Sequence, residues 1–544
     1  MALKNIQLTK LDFDSLPWRD VINDCDDKEC DVYSSKFFAK AREFEDAGNE
    51  NAQEVYSLLG AICSFHFKPD DKNEPFGPMV VLHIGRSAIV DDISNEHIQV
   101  LHELLPHIED PEMRSRIADV IWLRKRDYKT AEVAIESYLE SSIVLENPES
   151  WVAGFERINR AFRLAIHLGT KTGHRKKVIS HIESVLDKYD GKDPLYLSSR
   201  LMELLLEVRQ GDPQKYSTLS EKIATQAEKD GNYDRAKAYW AVKAKWDALA
   251  GNKENEKKAK ICVAETYVKN AEQANSSMVA STWMGKAIEE YRRIGGQKAR
   301  IDELHKKMIE IQKGVSNEMK VISQEIDISE MVEKYRKHIS GRKLHDALFE
   351  FCLLSGSPKV EKLRTRVDEL VRNYPLQYLI NKDIVNEKGK VIGKRPSIMS
   401  HDPKEVERAK MAEMYSQAQF ERNLVVQGLI EPVRLQINLE HHVQVRDFIS
   451  IVQSSPFVPQ GRELIFAKGL HAGLIGEYLD AIHLLMPQFE NSIRHILEQK
   501  GVTVSKLNDE GIQDEKNLNE LLYCDEVEEI FGQDLAFDLK GLLV

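Results

Sequence analysis

The strongest pattern in the sequence is a row of apolar and small residues, three or four positions apart, within residues 456–501. The row comprises Leu464, Ala467, His471, Leu474, Tyr478, Ile482 and Leu485. This spacing places the side chains on one face of an α-helix, so it predicts a long buried helix. Gly469, Gly473 and Gly476 add a strip without side chains, on which another helix can pack closely.

Pro487 interrupts this pattern. A proline removes one intrahelical hydrogen bond and clashes with the preceding turn, so we expect the helix to kink or restart there. The apolar row resumes with Phe489, Ile493 and Ile496. Gly501 is suited to end this second helix.

The polar face of the second helix carries Glu490, Asn491 and Arg494. Glu490 and Arg494 are four residues apart, a spacing that allows an ion pair on a helix surface. The apolar face on the other side of the helix fixes the direction of these three side chains. It does not determine their function.

The run PFVPQGRELIFAKGLHAGLIGEYLDAIHLLMPQFENSIRHIL closely resembles an uncharacterised bacterial and eukaryotic family of the HEPN (higher eukaryotes and prokaryotes nucleotide-binding) superfamily. The family also contains an endoplasmic-reticulum membrane-associated RNA degradation protein. The similarity extends from about Glu318 to the C-terminus. The family hallmark is an Arg-Asn-x-x-x-His motif that shortly follows a stretch like FGQDLAFDLKGLLV. Because this chain ends with that stretch, we expect the hallmark beyond Val544.

The resemblance implies a HEPN-like helical domain that acts on RNA as a metal-independent endoribonuclease, in a homodimer. In such enzymes His is the general acid or base at the ribose 2′-hydroxyl, and Arg stabilises the scissile phosphate. Glu490, Asn491 and Arg494 match the family run and are expected to line the cleft. A bacterial antiviral or toxin role follows by analogy. The alternative is a non-enzymatic helical scaffold or a degenerate HEPN protein.

We expect no catalytic residue within the chain itself. The only Arg-x4-His sequence joins Arg300 to His305, in a charged helix where a solvated face is expected. Arg422-Asn423 is followed by Gln427 at the position of the hallmark histidine.

The length of 544 residues predicts two to four domains. We expect an N-terminal helical region (1–130), a helical-hairpin array (131–315), a helical connector with a β-hairpin (316–400) and a HEPN-like domain (401–544). Residues 501–544 contain eleven acidic residues and three lysines. This acidic region repels a phosphate backbone, so RNA contacts are expected elsewhere.

The array is predicted from the segment GDPQKYSTLSEKIATQAEKDGNYDRAKAYWAVKAKWDALAGN, which is typical of a tetratricopeptide-like hairpin. A similar unit follows about fifty residues later, around Trp283. The looser spacing predicts an irregular array, and such stacks present an extended face to a protein partner. The six tryptophans are expected to fill the core.

The predicted fold class is all-α, mostly helical with one short β-hairpin. The hairpin lies in LQYLINKDIVNEKGKVIGKRPSI, with a turn at residues 386–389. The run from Phe76 to Gly85 is expected to be a short strand or a buried loop. Arg395 occupies the position where a phosphate loop needs Ser or Thr, so no nucleotide site is predicted at Gly389 and Gly393.

No cofactor or metal site is predicted. Cys25 and Cys30 lack a second Cys/His pair and are expected to be reduced thiols, and His441-His442 lacks the spacing of a zinc helix. No apolar run reaches the ~18 residues of a membrane span, and we see no secretion signal. We therefore expect a cytoplasmic protein, with nothing that points to DNA.

Overall fold

The computed structural model describes residues 3–4, 6–82, 85–169, 173–319, 325–507 and 510–543. The chain divides into an N-terminal unit, Met1–Glu318, and a C-terminal unit, Met319–Val544. Helices account for 70% of the residues, and the strands of the described residues form only two-stranded antiparallel pairs. The all-α class is confirmed.

The N-terminal unit is built from helices α1 to α16. They are α1 (Lys10–Asp14), α2 (Trp18–Asn23), α3 (Cys30–Asp46), α4 (Glu50–Cys63), α5 (Asn95–Leu104), α6 (Pro111–Lys125), α7 (Tyr128–Val144), α8 (Val152–Leu168), α9 (His174–Tyr189), α10 (Leu197–Glu207), α11 (Pro213–Lys229), α12 (Tyr233–Leu249), α13 (Lys253–Gln273), α14 (Ser277–Ile294), α15 (Lys298–Gln312) and α16 (Val315–Glu318). Strand β1 (His66–Phe67) pairs with β2 (Phe76–Gly77), and β3 (Val81–Leu82) pairs with β4 (Gly85–Arg86).

Near the N-terminus, α1 and α2 place the side chains of Phe13 and Trp18 in the core, where both are buried. Of the two alternatives for the run from Phe76 to Gly85, the structure has short strands: Phe76 lies in β2, and Val81 and Leu82 form β3, where they are 70% and 61% exposed.

One continuous hydrophobic core runs from Leu8 to Ala259, across the position where a boundary at residue 130 was expected. From α11 to α15, each helix packs on the next, and the repeat-like packing agrees with the predicted irregular array. Gly231 turns the chain with a φ of 73°, and the Asn232 side chain caps α12. Four tryptophans are buried in the core, whereas Trp151 and Trp283 are only partly buried.

The C-terminal unit is built from helices α17 to α27. They are α17 (Ser329–Ile339), α18 (Leu344–Cys352), α19 (Val360–Asn373), α20 (Pro403–Val425), α21 (Glu431–Glu440), α22 (Val445–Gln453), α23 (Glu463–Ile475), α24 (Tyr478–Gln499), α25 (Leu518–Leu522), α26 (Glu526–Phe531) and α27 (Gln533–Leu543). A π-helical turn, Val426–Ile430, joins α20 to α21. Strand β5 (Lys382–Val385) pairs with β6 (Val391–Arg395), and β7 (Ser505–Leu507) pairs with β8 (Gln513–Glu515).

The predicted β-hairpin is therefore present as β5–β6, and the described residues add three shorter strand pairs, of which β7–β8 had no signal in the sequence. A small core joins α19, α20 and α27 through Val367, Met414 and Phe537. This core spans the position at residue 400 where a boundary was expected.

The predicted single helix with a break at Pro487 is wrong, because the chain breaks at Gly476 instead. Gly476 adopts a φ of 90°, which favours glycine. Arg434 Nη1 and Asn438 Nδ2 donate to the Leu474 carbonyl, at 2.8 and 2.6 Å, and so satisfy the end of α23. Pro487 lies inside α24, on an exposed position where water can replace the lost hydrogen bond.

The glycine strip packs against α24 of the same chain. A Cβ atom on Gly469 would lie 2.6 Å from Leu485 Cγ, so only glycine allows this approach. The end of α24 is as predicted: Gly501 has a φ of 80°, and the Val502 amide donates to the Leu497 carbonyl at 2.9 Å. No helix in the described part of the chain is both long and apolar enough to cross a membrane.

We predict that Gly476→Ala destabilises the C-terminal unit by about 1 kcal/mol or more, because alanine resists this backbone conformation. Its Cβ would also lie 3.3 Å from Arg434 Nη1. Urea unfolding followed by circular dichroism measures the change. Gly473→Ala is the control, since its Cβ would meet only Ala481 at 3.7 Å within a helix, where alanine is favoured. Equal midpoints for the two variants would contradict the assigned break.

Candidate functional site

The predicted cleft residues lie on the C-terminal half of α24, beside the β7–β8 pair. Arg494 Nη2 donates to Glu490 Oε1 at 2.8 Å and to the Lys516 carbonyl at 2.9 Å. Arg494 Nε also forms an ion pair with Glu515 at the end of β8. The arginine side chain is only 16% exposed. Arg494 therefore fastens the β7–β8 pair to α24 and orients Glu490.

We predict that Arg494→Ala loosens the β7–β8 pair, because it removes the bonds to Glu515 and to the Lys516 carbonyl. Hydrogen–deuterium exchange of residues 505–515 should become faster, with little change in α23. Glu498→Ala, an exposed change on the same helix, is the control. Unchanged exchange in both variants would show that Arg494 does not hold the pair.

The Arg300 and His305 side chains do not form a common site. Arg300 of α15 binds Glu265 of α13 through two hydrogen bonds of 2.9 and 2.8 Å, and it also binds Glu303 at 2.8 Å. The hydrogen bonds to Glu265 raise the pKa of Arg300. His305 is exposed. The face of α15 around Arg300 is therefore less exposed to solvent than expected, because Arg300 joins α15 to α13.

Two other motif-like segments also use their arginines structurally. Arg422 Nη1 donates to Asp538 at 2.5 Å and joins α20 to α27. Arg395, at the end of β6, donates to Glu413 Oε2 and Ser416 Oγ, both at 2.8 Å. This anchors the β5–β6 hairpin to α20, so the guanidinium is not directed toward a phosphate site at Gly393.

The C-terminal unit separates its charges along the sequence. Residues 334–395 contain 15 Lys or Arg against 7 Asp or Glu, a net charge of +8. Residues 501–544 carry a net charge of −8. Contacts with a polyanion are therefore favoured by the first segment and opposed by the second.

The sequence analysis missed a buried ionic cluster in the N-terminal unit. Arg157 of α8 donates from Nε and Nη2 to the Glu112 carboxylate of α6, at 3.1 and 2.7 Å. Arg160 likewise donates from Nε and Nη2 to the two carboxylate oxygens of Asp119, at 2.8 and 3.0 Å. All four side chains are at most 4% exposed. These two buried pairs connect α6 to α8.

A third buried guanidinium belongs to Arg116. It lies between the rings of Phe67 and Phe76, with its Cζ atom 4.7 and 4.8 Å from their centroids. Its Nη1 atom donates to the Phe65 carbonyl at 3.3 Å. The β1–β2 pair thus covers a cation in the core with aromatic faces.

A charge pattern in the sequence could have revealed this cluster. Glu112, Arg116 and Asp119 lie at positions i, i+4 and i+7 of α6, among apolar residues. On α8, arginine occurs at every third position from Arg157 to Arg163. Complementary charged rows on helices whose flanking positions are apolar indicate buried ion pairs.

Arg157 controls the ionisation of Glu112. Burial works to raise the pKa of Glu112 from its ordinary value of 4.5, but the Arg157 guanidinium outweighs burial and lowers that pKa to about 2. The contribution of the pair to the free energy of unfolding is therefore complete above pH 4.5, and it is lost as the pH falls toward 2.

We predict that Glu112→Gln destabilises the N-terminal unit by about 3–5 kcal/mol, because Arg157 becomes an unpaired buried charge. The midpoint of urea unfolding at pH 7 measures this loss, and the difference from the parent protein should shrink between pH 4.5 and pH 2. Lys177→Gln breaks the exposed pair with Glu136 and should cost under about 1 kcal/mol. Equal costs for the two variants would contradict the role of burial.

One serine–histidine contact resembles a nucleophile and its base, but its geometry opposes that role. Ser142 Oγ lies 3.2 Å from His181 Nε2. The hydroxyl donates instead to the Leu139 carbonyl at 2.7 Å. The crevice between this pair and Trp151 has a volume of only about 10 Å³, which is close to one water molecule. The contact is therefore part of helix packing.

No metal centre is evident in the part of the chain that the structure describes, where no three His, Cys, Asp or Glu side chains form a group that could hold a metal ion. Cys25 and Cys30 are both buried free thiols. Burial raises the pKa of the Cys30 thiol, which disfavours the thiolate that a metal requires.

Comparison with known families places one match in the N-terminal unit. Residues 3–177 match a family described as a domain of unknown function (DUF7380). The matched segment includes Glu112, Asp119, Arg157 and Arg160, the residues of the two buried pairs. No curated protein and no solved structure matches the chain.

Proposed function

We propose that this protein is an RNA-directed HEPN-type protein whose C-terminal unit contacts RNA. The resemblance of residues 456–497 to the HEPN family supports this proposal, and these residues include α23 and most of α24. The segment that matches DUF7380 lies outside this unit, and the description of that family names neither RNA nor catalysis. A bacterial defence or toxin role in the cytoplasm extends the proposal by analogy.

The chain's own residues are assigned to binding and positioning. The Arg-Asn-x-x-x-His hallmark does not occur in residues 1–544. We assign Glu490, Asn491 and Arg494 to the edge of the cleft in which a hallmark histidine would transfer the proton of the ribose 2′-hydroxyl. The guanidinium of Arg494 is engaged by Glu490, by Glu515 and by a main-chain carbonyl, and this favours orientation of Glu490 over direct contact with phosphate.

A homodimer remains part of this proposal, but the strip from Gly469 to Gly476 does not suit its interface. Self-association through the Gly469–Gly476 strip would require that strip to be free. In the structure α24 of the same chain covers it, with Leu485 against Gly469. The dimer would therefore use another surface of the C-terminal unit.

A second candidate function is that of a helical scaffold, favoured by a surface of the array. The partly buried Trp283 stacks on Tyr267 at a centroid distance of 5.7 Å. The ammonium groups of Lys237 and Lys286 lie 5.7 and 4.3 Å from the Trp283 ring. Aromatic residues of this kind are enriched where proteins bind one another.

We predict that the 1–544 chain retains RNA on a filter in a salt-dependent manner without cleaving it. The expected retention comes from the basic segment, and cleavage is not expected because the chain lacks the hallmark pair. Total RNA incubated with purified protein in EDTA, then analysed by gel and by filter binding at 50 and 200 mM salt, measures both.

Two results would contradict these expectations. Reproducible fragments that disappear in Arg300→Ala or His305→Ala would show that this pair is catalytic despite its ion pairs. No RNA retention at tens of micromolar protein would contradict the RNA-directed proposal and favour the scaffold.

A further inference from the structure

The β5–β6 hairpin carries four exposed lysines, of which Lys382 lies with its ammonium group 5.2 Å from the centroid of the Tyr378 ring. Lys382, Lys388, Lys390 and Lys394 are all exposed, and no ion pair involving them is present among the described residues. By contrast, Arg364, on α19 in the same basic segment, is paired with Glu407. Residues 382–395 contain five Lys or Arg against two Asp or Glu, so the hairpin has a net charge of +3.

The register of the hairpin gives these cations a direction. Arg395 lies opposite Lys382 and is anchored to α20 through Glu413. Lys394 is next to Arg395 on β6, so its side chain lies on the opposite face of the hairpin, and its partner on β5 is Asp383. Between Lys390 and Lys394 a bulge interrupts the regular pairing at Ile392, whose side chain is 66% exposed.

The surroundings of the hairpin are apolar and equally exposed. Tyr374, Leu376 and Ile380, which precede β5, are 55%, 76% and 71% exposed. A surface that combines ammonium groups with exposed aromatic and aliphatic side chains matches single-stranded nucleic acid, which offers phosphates and unstacked bases together. Lysine acts as a point charge toward phosphate and requires no fixed geometry.

We propose that the β5–β6 hairpin is the arm by which this protein binds single-stranded RNA, with Lys388, Lys390 and Lys394 on the phosphates and Tyr374 against a base. The inference rests on the RNA-directed function proposed above. To that function it adds the surface that contacts RNA and the prediction that the bound RNA is single-stranded. An exposed hairpin can bind a flexible single strand. The acidic segment 501–544 repels the same ligand.

Edge protection is a different role for the same lysines. Charged residues on exposed strands prevent the edge from pairing with another sheet. That role requires no RNA and predicts aggregation when the lysines are removed. The two roles therefore separate in experiment.

The test compares two triple variants of the 1–544 chain by fluorescence anisotropy with a labelled 20-nucleotide single-stranded RNA of mixed sequence. The hairpin variant is Lys388→Ala, Lys390→Ala and Lys394→Ala. The control is Lys253→Ala, Lys257→Ala and Lys298→Ala, which removes the same charge from exposed positions of the N-terminal unit. A third variant replaces the three hairpin lysines by arginine. Circular dichroism checks that each protein is folded.

We expect the hairpin variant to bind at least tenfold more weakly, and its plot of log affinity against log salt to become shallower by about 2, since each phosphate contact on a single strand contributes about 0.7. The control and the arginine variant should bind like the parent protein. Parent-like binding by the hairpin variant, with or without aggregation, would overturn the inference and leave the RNA-directed function standing. Failure of the parent protein to bind would overturn both.

Discussion

Two ion pairs without access to water determine how the N-terminal unit is assembled. Glu112 and Asp119 on α6 meet Arg157 and Arg160 on α8, each through two hydrogen bonds. Removing these charges from water is costly, so only a geometry that satisfies both partners is tolerated. The pairs therefore fix the register of α6 against α8, and they place the Arg116 cation beneath the aromatic cover of β1–β2. All of these residues fall within the segment that matches DUF7380.

Three arginines of the C-terminal unit have a different role from the lysines of the β5–β6 hairpin. Arg395, Arg422 and Arg494 each bind a carboxylate on another element and hold a hairpin or a helix in place. The hairpin lysines have no such partners among the described residues. Planar guanidinium groups suit fixed structural pairs, whereas mobile ammonium groups suit a polyanion that can shift its position. Within the β5–β6 hairpin, the lysines rather than the anchored Arg395 are therefore available to a ligand.

Local signals in the sequence were sufficient for much of the fold. The glycine at residue 501 and the β5–β6 hairpin follow from short-range chemistry, and both are present. The break at Gly476 was missed because its cause is a tertiary contact: Arg434, forty residues earlier, caps the Leu474 carbonyl. The burial of Glu112 and Arg157 also depends on a tertiary contact. It was missed because charged residues normally lie on the surface. The direction of Glu490, Asn491 and Arg494 was predictable, but the engagement of Arg494 by β8 depends on a strand with no sequence signal of its own.

We expect RNA to bind the basic segment of the C-terminal unit, residues 334–395. Ultraviolet cross-linking of the 1–544 chain to single-stranded RNA, followed by mass spectrometry of the cross-linked peptides, tests it most directly. The account predicts that cross-links concentrate within residues 334–395, with Tyr374 among them, and that residues 501–543 give none. Cross-links confined to the N-terminal unit, or located in the acidic segment, would contradict it.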